Sequence, residues 1–324
     1  MTKVLVSGGA GYIGSVLVRL LIEKGYSVRV IDNLSFGGEP ILDLLNHDRF
    51  EFVKGDVRNE ADVRKAVQGV DFVAHLASIV GDPACAQQPD VARSTNLEGS
   101  KLFYNMANEA GVKKFVFAST CSNYGKMEDP NSFVTETSTL APVSLYAETK
   151  VAVEQYLMAQ PRTNICKPTS LRFSTVYGLS QRPRFDLTVN EFTKELAMKR
   201  ELVVFGEQFW RPYCHVIDLA RSVVAVMEAE ENKVAFDVFN VGDTNENYQK
   251  QMIVDEIIKQ LPESKVKYVS KNEDPRDYRV SFEKINTQLG FTITKKVPDG
   301  IRQIIQTVQD GFILNPDDPK YKNV

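Results

Sequence analysis

Two hydrophobic periods alternate along the first part of the chain. Short, nearly continuous apolar and β-branched runs recur at 4–7, 28–31, 50–53, 72–74 and 115–118. Runs of this kind suit parallel strands covered on both faces, which need no polar alternation. Between them, 13–23, 41–45, 61–67 and 91–110 carry apolar residues at helical spacing. Glycines at 25 and 111 close the first and the last of these helices. Strand, helix and strand in this rhythm predict right-handed βαβ units and an α/β fold, a doubly wound parallel sheet of Rossmann type.

After about residue 175 the rhythm loosens. Residues 178–185 hold Gln, Arg and Pro without periodicity and read as a loop; 187–199, 216–228, 248–261 and 301–310 read as amphipathic helices. The run 236–240 suits an extra strand of the main sheet. The expected organisation is a dinucleotide-binding unit over 1–175, to which a segment near 213–245 returns, and a smaller α+β substrate lobe over 176–324. The polar segment 315–324 is expected to be frayed.

Charge and cysteine content narrow the function classes. Lys plus Arg number 39 against 42 Asp plus Glu, a net charge of −3. Without a basic excess, nucleic acid is not an expected partner. Four cysteines at 85, 121, 166 and 214 show no metal spacing, and no metal is expected. A chain of 324 residues buries a core large enough to need no disulfide framework, which points to a reducing compartment. No apolar stretch reaches spanning length and the N-terminus lacks a signal-peptide layout, so a soluble cytoplasmic protein without a membrane partner is expected.

The most specific local signal is Ser7-Gly8-Gly9-Ala10-Gly11-Tyr12-Ile13-Gly14, between the first strand and the first helix. Glycines at 8, 11 and 14 allow a tight turn, close approach to a diphosphate and packing of helix on strand. The diphosphate then lies at the positive end of the helix. Asp32 ends the next strand 18 residues after Gly14. A carboxylate there accepts bonds from ribose hydroxyls and repels a 2′-phosphate, which favours NAD over NADP. The competing reading is a tight turn that binds nothing.

Tyr146 and Lys150 lie four residues apart within a helix expected over 145–160, so both project from one face. A phenol titrating near 10 is a poor base at pH 7. A neighbouring ammonium stabilises its phenolate and lets it take a proton from a substrate hydroxyl. A surface Tyr–Lys pair is the alternative; the dinucleotide motif upstream favours the chemical reading.

Taken in order, the loop Gly8–Gly14, Asp32, Gly55-Asp56-Val57, His75-Leu76-Ala77, Asn96, the run 118–125 and Tyr146-x-x-x-Lys150 resemble the extended short-chain dehydrogenase/reductase family. More narrowly, they resemble its NAD-dependent epimerase/dehydratase group, which acts on nucleotide sugars. The resemblance runs from residue 1 to about 245. It implies that Thr120 hydrogen-bonds the reacting hydroxyl, that Tyr146 is the catalytic base, and that Lys150 holds the nicotinamide ribose and lowers the tyrosine pKa. It further implies cofactor contacts from Gly8, Gly11, Tyr12, Ile13, Gly14, Asn33, Ser35, Asp56, Val57, Leu76, Ala77 and Asn96.

The same resemblance implies a nucleoside-diphosphate sugar as substrate. Arg211, in Trp210-Arg211-Pro212-Tyr213-Cys214-His215-Val216, matches a diphosphate-binding arginine, and Arg276 matches a second clamp, with Arg279 an equal rival on spacing. Arginine suits that role because its planar fork binds two oxygens. Cys121, Ser122, Thr175, Asp186 and Leu187 fall at substrate-facing positions. Four of these depart from the family pattern. Water-eliminating members carry Asp-Glu where this chain has Cys121-Ser122, which disfavours a dehydratase. Thr175 replaces a common Asn, and Asp186 replaces another; Asp186 is expected to pair with Arg182 or Arg184, which otherwise read as solvated surface charges. Cys121 has two readings, acid/base group or small buried hydrophobe, and His75 and His215 read as structural.

The expected activity is therefore NAD-dependent nucleotide-sugar 4-epimerisation. A 4-dehydrogenase or 4-ketoreductase using the same Thr/Tyr/Lys set is the alternative, and an idle NAD-binding regulator a remote one. A homodimer through a four-helix bundle of the 91–110 and 145–160 helices is also expected.

Overall fold

The computed structural model describes residues 1–127, 129, 132–270 and 276–323. Its centre is a parallel seven-stranded sheet. Six strands come from the first 173 residues: β1 (Lys3–Ser7), β2 (Ser27–Asp32), β3 (Phe50–Lys54), β4 (Phe72–His75), β5 (Lys114–Thr120) and β6 (Lys167–Phe173). Three short strands then leave the sheet, β7 (Thr175–Tyr177), β8 (Glu201–Phe205) and β9 (Trp210–His215). The chain returns as β10 (Asp237–Val241), which pairs with β6, and the sheet order is β10-β6-β5-β4-β1-β2-β3. The order reverses beside β1, with β2 on one side and β4 on the other, where an open parallel sheet leaves a crevice at its carboxyl edge.

Alternation along these strands builds two cores. Val4, Val6, Val28, Val30 and Val116 pack on one face with α1 (Tyr12–Glu23) and, from later in the chain, Val216–Glu228. Leu5, Ile31, Phe115 and Phe117 pack on the other face with α2 (Glu60–Val67), and with Ser100–Glu109 and Leu145–Met158. Burial on both faces is why the strands read as continuous hydrophobic runs.

Between α2 and β5 lie α3 (Asp82–Gln87), α4 (Pro89–Arg93) and α5 (Ser100–Glu109), followed by α6 (Leu145–Met158), which Ser144 caps at the amide of Ala147. The single helix expected over 91–110 is interrupted: a π-helical turn, Ser94–Gly99, separates α4 from α5. The helix expected over 41–45 is a 3-10 turn, Glu39–Leu44. The fully helical reading of 248–261 is also corrected, because Tyr248 lies in β11 (Asn247–Gln249), antiparallel to β9.

A third core joins the lobe. It packs α7 (Thr188–Ala197), α10 (Lys250–Gln260) and α12 (Val297–Gln309) on Tyr177, Val204 and Tyr213. α8 (Val216–Glu228) spans back to the main sheet and α9 (Glu231–Val234) leads into β10. A parallel pair of β8 with β12 (Lys265–Val269) and the short α11 (Glu283–Leu289) complete the lobe. The segment expected to fray is docked instead: Asp317 pairs with Lys194 and Arg200, and Phe185 donates its amide to the carbonyl of Tyr321 at 2.9 Å. Polar side chains matched to loop partners hold it where hydrophobicity gave no signal. Among the described residues no helix is long and apolar enough to cross a membrane, and no group of three or more His, Cys, Asp or Glu is placed to hold a metal.

Candidate active site

A cavity of about 640 Å³ lies between the carboxyl edge of the sheet and the lobe, within the range of small-molecule sites. Its floor is the glycine loop. Gly8 has φ +74°, and a Cβ there would sit 2.9 Å from the backbone nitrogen of Ala77; at Gly14 a Cβ would run into the Gly8 carbonyl. These positions lack side chains so that the loop can close on itself and against Ala77, which leaves the N-terminus of α1 facing the cavity. Gly8, Gly11, Tyr12, Ile13, Gly14, Asp32, Asn33, Ser35, Asp56, Val57, Leu76 and Ala77 all line the cavity.

Asp32 accepts from the amides of Ala10 (3.0 Å) and Leu34 (2.9 Å), which ties the end of β2 to the glycine loop. Burial raises its pKa, opposed by those two amides and by Arg182. Asn33 accepts from the amide and hydroxyl of Ser35. Asp56 is bridged by Arg58, whose hydrogen bonds hold its carboxyl below the ordinary range.

Asn96 lies beside the cavity rather than in its lining, behind Ser78 and Ile79. It is buried in the π-helical turn, where it accepts from the Ser78 hydroxyl (2.9 Å) and Ile79 amide (2.8 Å) and donates to the Ile79 carbonyl (2.9 Å). The amide thus clamps the loop after β4, and the π turn rotates it inward, a use of such turns found at functional sites. His75 is structural: Ser7 and Ser100 hold its two ring nitrogens at 2.7 and 2.9 Å, and burial lowers its pKa to about 3. His215 caps α8 at the amide of Ile217 and meets Gln303.

Thr120 ends β5, Tyr146 opens α6 and Lys150 follows one turn later; all three line the cavity. The Lys150 ammonium lies 5.7 Å from the centre of the Tyr146 ring and donates to the carbonyl of Ala118 at 2.8 Å. Burial pulls the Lys150 pKa down to about 7, slightly opposed by the Cys85 thiol. Burial raises the Tyr146 phenol well above its ordinary value; Cys85 adds to this and Arg184 opposes it. Behind the triad, buried Arg172 and Glu154 form an ion pair. Glu154 accepts from Ser119 (3.0 Å), Arg172 donates to the Tyr124 hydroxyl (2.8 Å), and Tyr124 donates to Asn240 (2.7 Å). This network joins β5, β6, α6 and β10. Charged Arg172 also explains why β6 does not read as a buried strand, since its polar residues find partners only in the folded sheet.

Of the substrate-facing candidates, Ser122, Thr175, Leu187 and Arg276 line the cavity, whereas Cys121, Asp186 and Arg211 do not. Cys121 is buried, donates to the Arg172 carbonyl at 3.2 Å, and is pushed up by burial, so it behaves as a small core residue. Asp186 takes both nitrogens of the Arg184 fork, at 3.0 and 2.7 Å. Arg211 bonds the Trp210 carbonyl and stacks on the Tyr278 ring, with its guanidinium 5.3 Å from the centre. Arg276 meets Asp82 at 2.8 Å at the cavity wall, while its spacing rival Arg279 stacks on Phe133 and Trp210. Residues 271–275, just before Arg276, lie outside the described residues.

The sequence reading misses Arg182 and Arg184 as cavity residues. Both are buried, because the loop between Gly178 and Leu187 folds onto the glycine loop. Tyr12 donates to the Gly178 carbonyl at 2.5 Å, and Asn190 donates to the carbonyls of Gly178 and Arg184. The available signal was their spacing of two, which puts both on one side of an extended segment.

The family model for the NAD dependent epimerase/dehydratase family matches residues 4–242. The chain belongs to this family. It is 30% identical over 258 residues to the UDP-glucose 4-epimerase of Lactobacillus helveticus, covering 74% of this chain and 76% of that one. Its fold matches the crystal structure of UDP-glucose 4-epimerase with UDP-glucose from Thermotoga maritima, with TM-score 0.83, 28% identity, and coverage of 96% and 100% of the two chains. It also matches UDP-glucuronic acid 4-epimerase from Bacillus cereus in complex with UDP-glucuronic acid and NAD, with TM-score 0.84, 26% identity, and coverage of 95% and 99%.

Proposed function

We propose that this chain is a nucleotide-sugar 4-epimerase that uses NAD, with the 1–175 unit and its returning segment holding the dinucleotide and 176–324 holding the nucleotide sugar. The observation that carries this is the convergence of Thr120, Tyr146 and Lys150 on the cavity whose floor is the glycine loop. The residues fit the cofactor: Gly8 and Gly14 let the loop turn tightly at the N-terminus of α1, where a diphosphate would be held, and the Asp32 carboxylate lines the same cavity, where it would accept from ribose hydroxyls. Bound NAD would supply the hydride acceptor, and its oxidised form would carry the positive charge that favours a phenolate.

Tyr146 exchanges the proton of the sugar 4-hydroxyl, and Thr120 fixes that oxygen by a hydrogen bond. Lys150, held by the Ala118 carbonyl, offsets the negative charge that develops on the phenol. Arg276 is the cation assigned to the substrate diphosphate. Elimination of water needs an acid/base pair after Thr120, and Cys121-Ser122 supply none. A homodimer through α6 and the 94–109 helical segment is part of this reading; Leu97, Leu102, Tyr156 and Met158 of these helices pack against the core and stay half-buried, which leaves part of their surface for a second copy. Four buried, unpaired cysteines suit a cytoplasmic setting.

The test is a panel of nucleoside-diphosphate sugars deuterated at carbon 4, each incubated with enzyme and stoichiometric NAD. An inverted product that keeps its label is expected. Accumulation of deuterated NADH with a keto-sugar and no inverted product would assign the chain to the dehydrogenases.

A further inference from the structure

Arg182 is 5% exposed and lines the cavity, yet its buried Nε has no hydrogen-bond partner among the described residues. Both of its terminal nitrogens have partners. One face stacks on Phe36, 3.9 Å from the ring centre, in the loop after Asp32. The two terminal nitrogens donate to the Asn323 side chain at 2.7 Å and the Lys322 carbonyl at 3.1 Å. Asn323 itself lines the cavity and donates its amide to Asp186 at 3.1 Å. Burial and neighbouring Arg184 lower the Arg182 pKa to about 10, so the group remains charged at neutral pH. One cation therefore joins the adenosine end of the cradle, the lobe loop and the 315–323 segment. An unpartnered buried donor in a cavity wall is costly unless a ligand completes it.

We infer that residues 315–323 form a strap that closes over the adenosine half of the dinucleotide through Arg182, and that the strap must undock before the cofactor leaves. The inference rests on the NAD reading above. The links that hold the strap are few and partly exposed. They are the ion pairs of Asp317 with Lys194 and Arg200, an edge-on contact of Tyr321 with Phe185 and the bond from the Phe185 amide to the Tyr321 carbonyl, the Arg182 bond to the Lys322 carbonyl, and the Asn323 bonds. Such links open far more readily than a packed core. A reversible strap fits an epimerase, which must keep one cofactor between removal and return of the hydride.

The experiment loads full-length protein with NADH, chases with excess NAD and follows NADH fluorescence. The double variant Asp317→Asn/Tyr321→Ala leaves the cavity wall intact, and Arg182→Ala removes the joint. Both should release NADH about tenfold faster, the scale of one lost hydrogen bond to a charged group, with association changed less than dissociation. Hydrogen exchange at the Asn323 amide should slow when NADH is bound. Unchanged release from the double variant overturns the strap while leaving the NAD reading intact. Faster association with unchanged release also overturns it and makes the segment a plug. Failure of the unmodified protein to bind NADH overturns the NAD reading and the strap together. If Arg182→Ala does not fold, the double variant still decides.

Discussion

The two walls of the cavity are built from different materials. The sheet side presents glycines, the N-terminus of α1 and the carboxylates of Asp32 and Asp56. The lobe side presents Arg182, Arg184 and Arg276 on irregular segments. Two of those arginines already face a carboxylate, Arg184 with Asp186 and Arg276 with Asp82. A backbone cradle is rigid because its shape is the fold itself. A wall of paired cations is adjustable, since a ligand diphosphate has to share or displace a partner already there. The comparison teaches that the cofactor class is written into the fold, while substrate choice rests on side chains that can change without disturbing the sheet.

The largest test of the comparison lies where the walls meet. Tyr146→Phe keeps the ring and removes the proton, so turnover should fall by about 10²–10⁴-fold with ligand binding retained. Single-turnover kinetics on the deuterated substrate would check it, and unchanged turnover would remove Tyr146 from the chemistry. Next comes the scaffold on the sheet side. Glu154→Ala strands Arg172 as a buried charge, and the loss should be about 3–5 kcal/mol in urea unfolding. A loss under 1 kcal/mol would mean that the network does not hold the ends of β5 and β6.

The lobe wall should respond in binding rather than folding. Arg276→Ala is expected to weaken nucleoside-diphosphate binding by roughly tenfold, the range for one charged hydrogen bond. Arg211→Ala, behind Tyr278, should cost less in calorimetric titration, and the reverse ranking would move the clamp to Arg211.

The smallest effect is a pH slope on the sheet side. His75 titrates near 3 in the folded protein against an ordinary 6.5. Between these values the unfolded chain carries a proton that the folded one does not, so this contribution to stability is present above 6.5 and is lost as pH falls toward 3. His75→Asn should make the acid loss of stability shallower between pH 6.5 and 4, as read by thermal melts. An identical slope would place the acid sensitivity elsewhere.

Much of the sheet side was legible because its signals are local. Val4, Val28 and Phe115 stand in strands, Gly8 and Gly14 shape the turn, and Tyr146 and Lys150 share a helix face one turn apart. Each follows from residues within a few positions of one another. β6 was not legible, since Lys-Pro-Thr-Ser-Leu-Arg-Phe becomes a buried strand only when Glu154 meets Arg172 and Val234 accepts from Thr169. Cys121 was left between two readings, and its burial with a bond to the Arg172 carbonyl favours the small core residue; the bonds of Asn96 to Ser78 and Ile79 were not legible, because the loop after β4 meets that side chain only in the fold.

The sequence by itself determined the parallel α/β plan, the glycine cradle with its carboxylate, and the spacing of the Tyr–Lys pair, because strand and helix periods and missing side chains act over short range. Tertiary structure alone decided which arginines reach the cavity, that 315–323 is docked, and that Arg182 joins it to the cradle. Those outcomes depend on pairings across 136 to 141 residues of chain, Phe185 with Tyr321 and Arg182 with Asn323. The energy of such a contact exists only once the rest of the fold has brought its partners together.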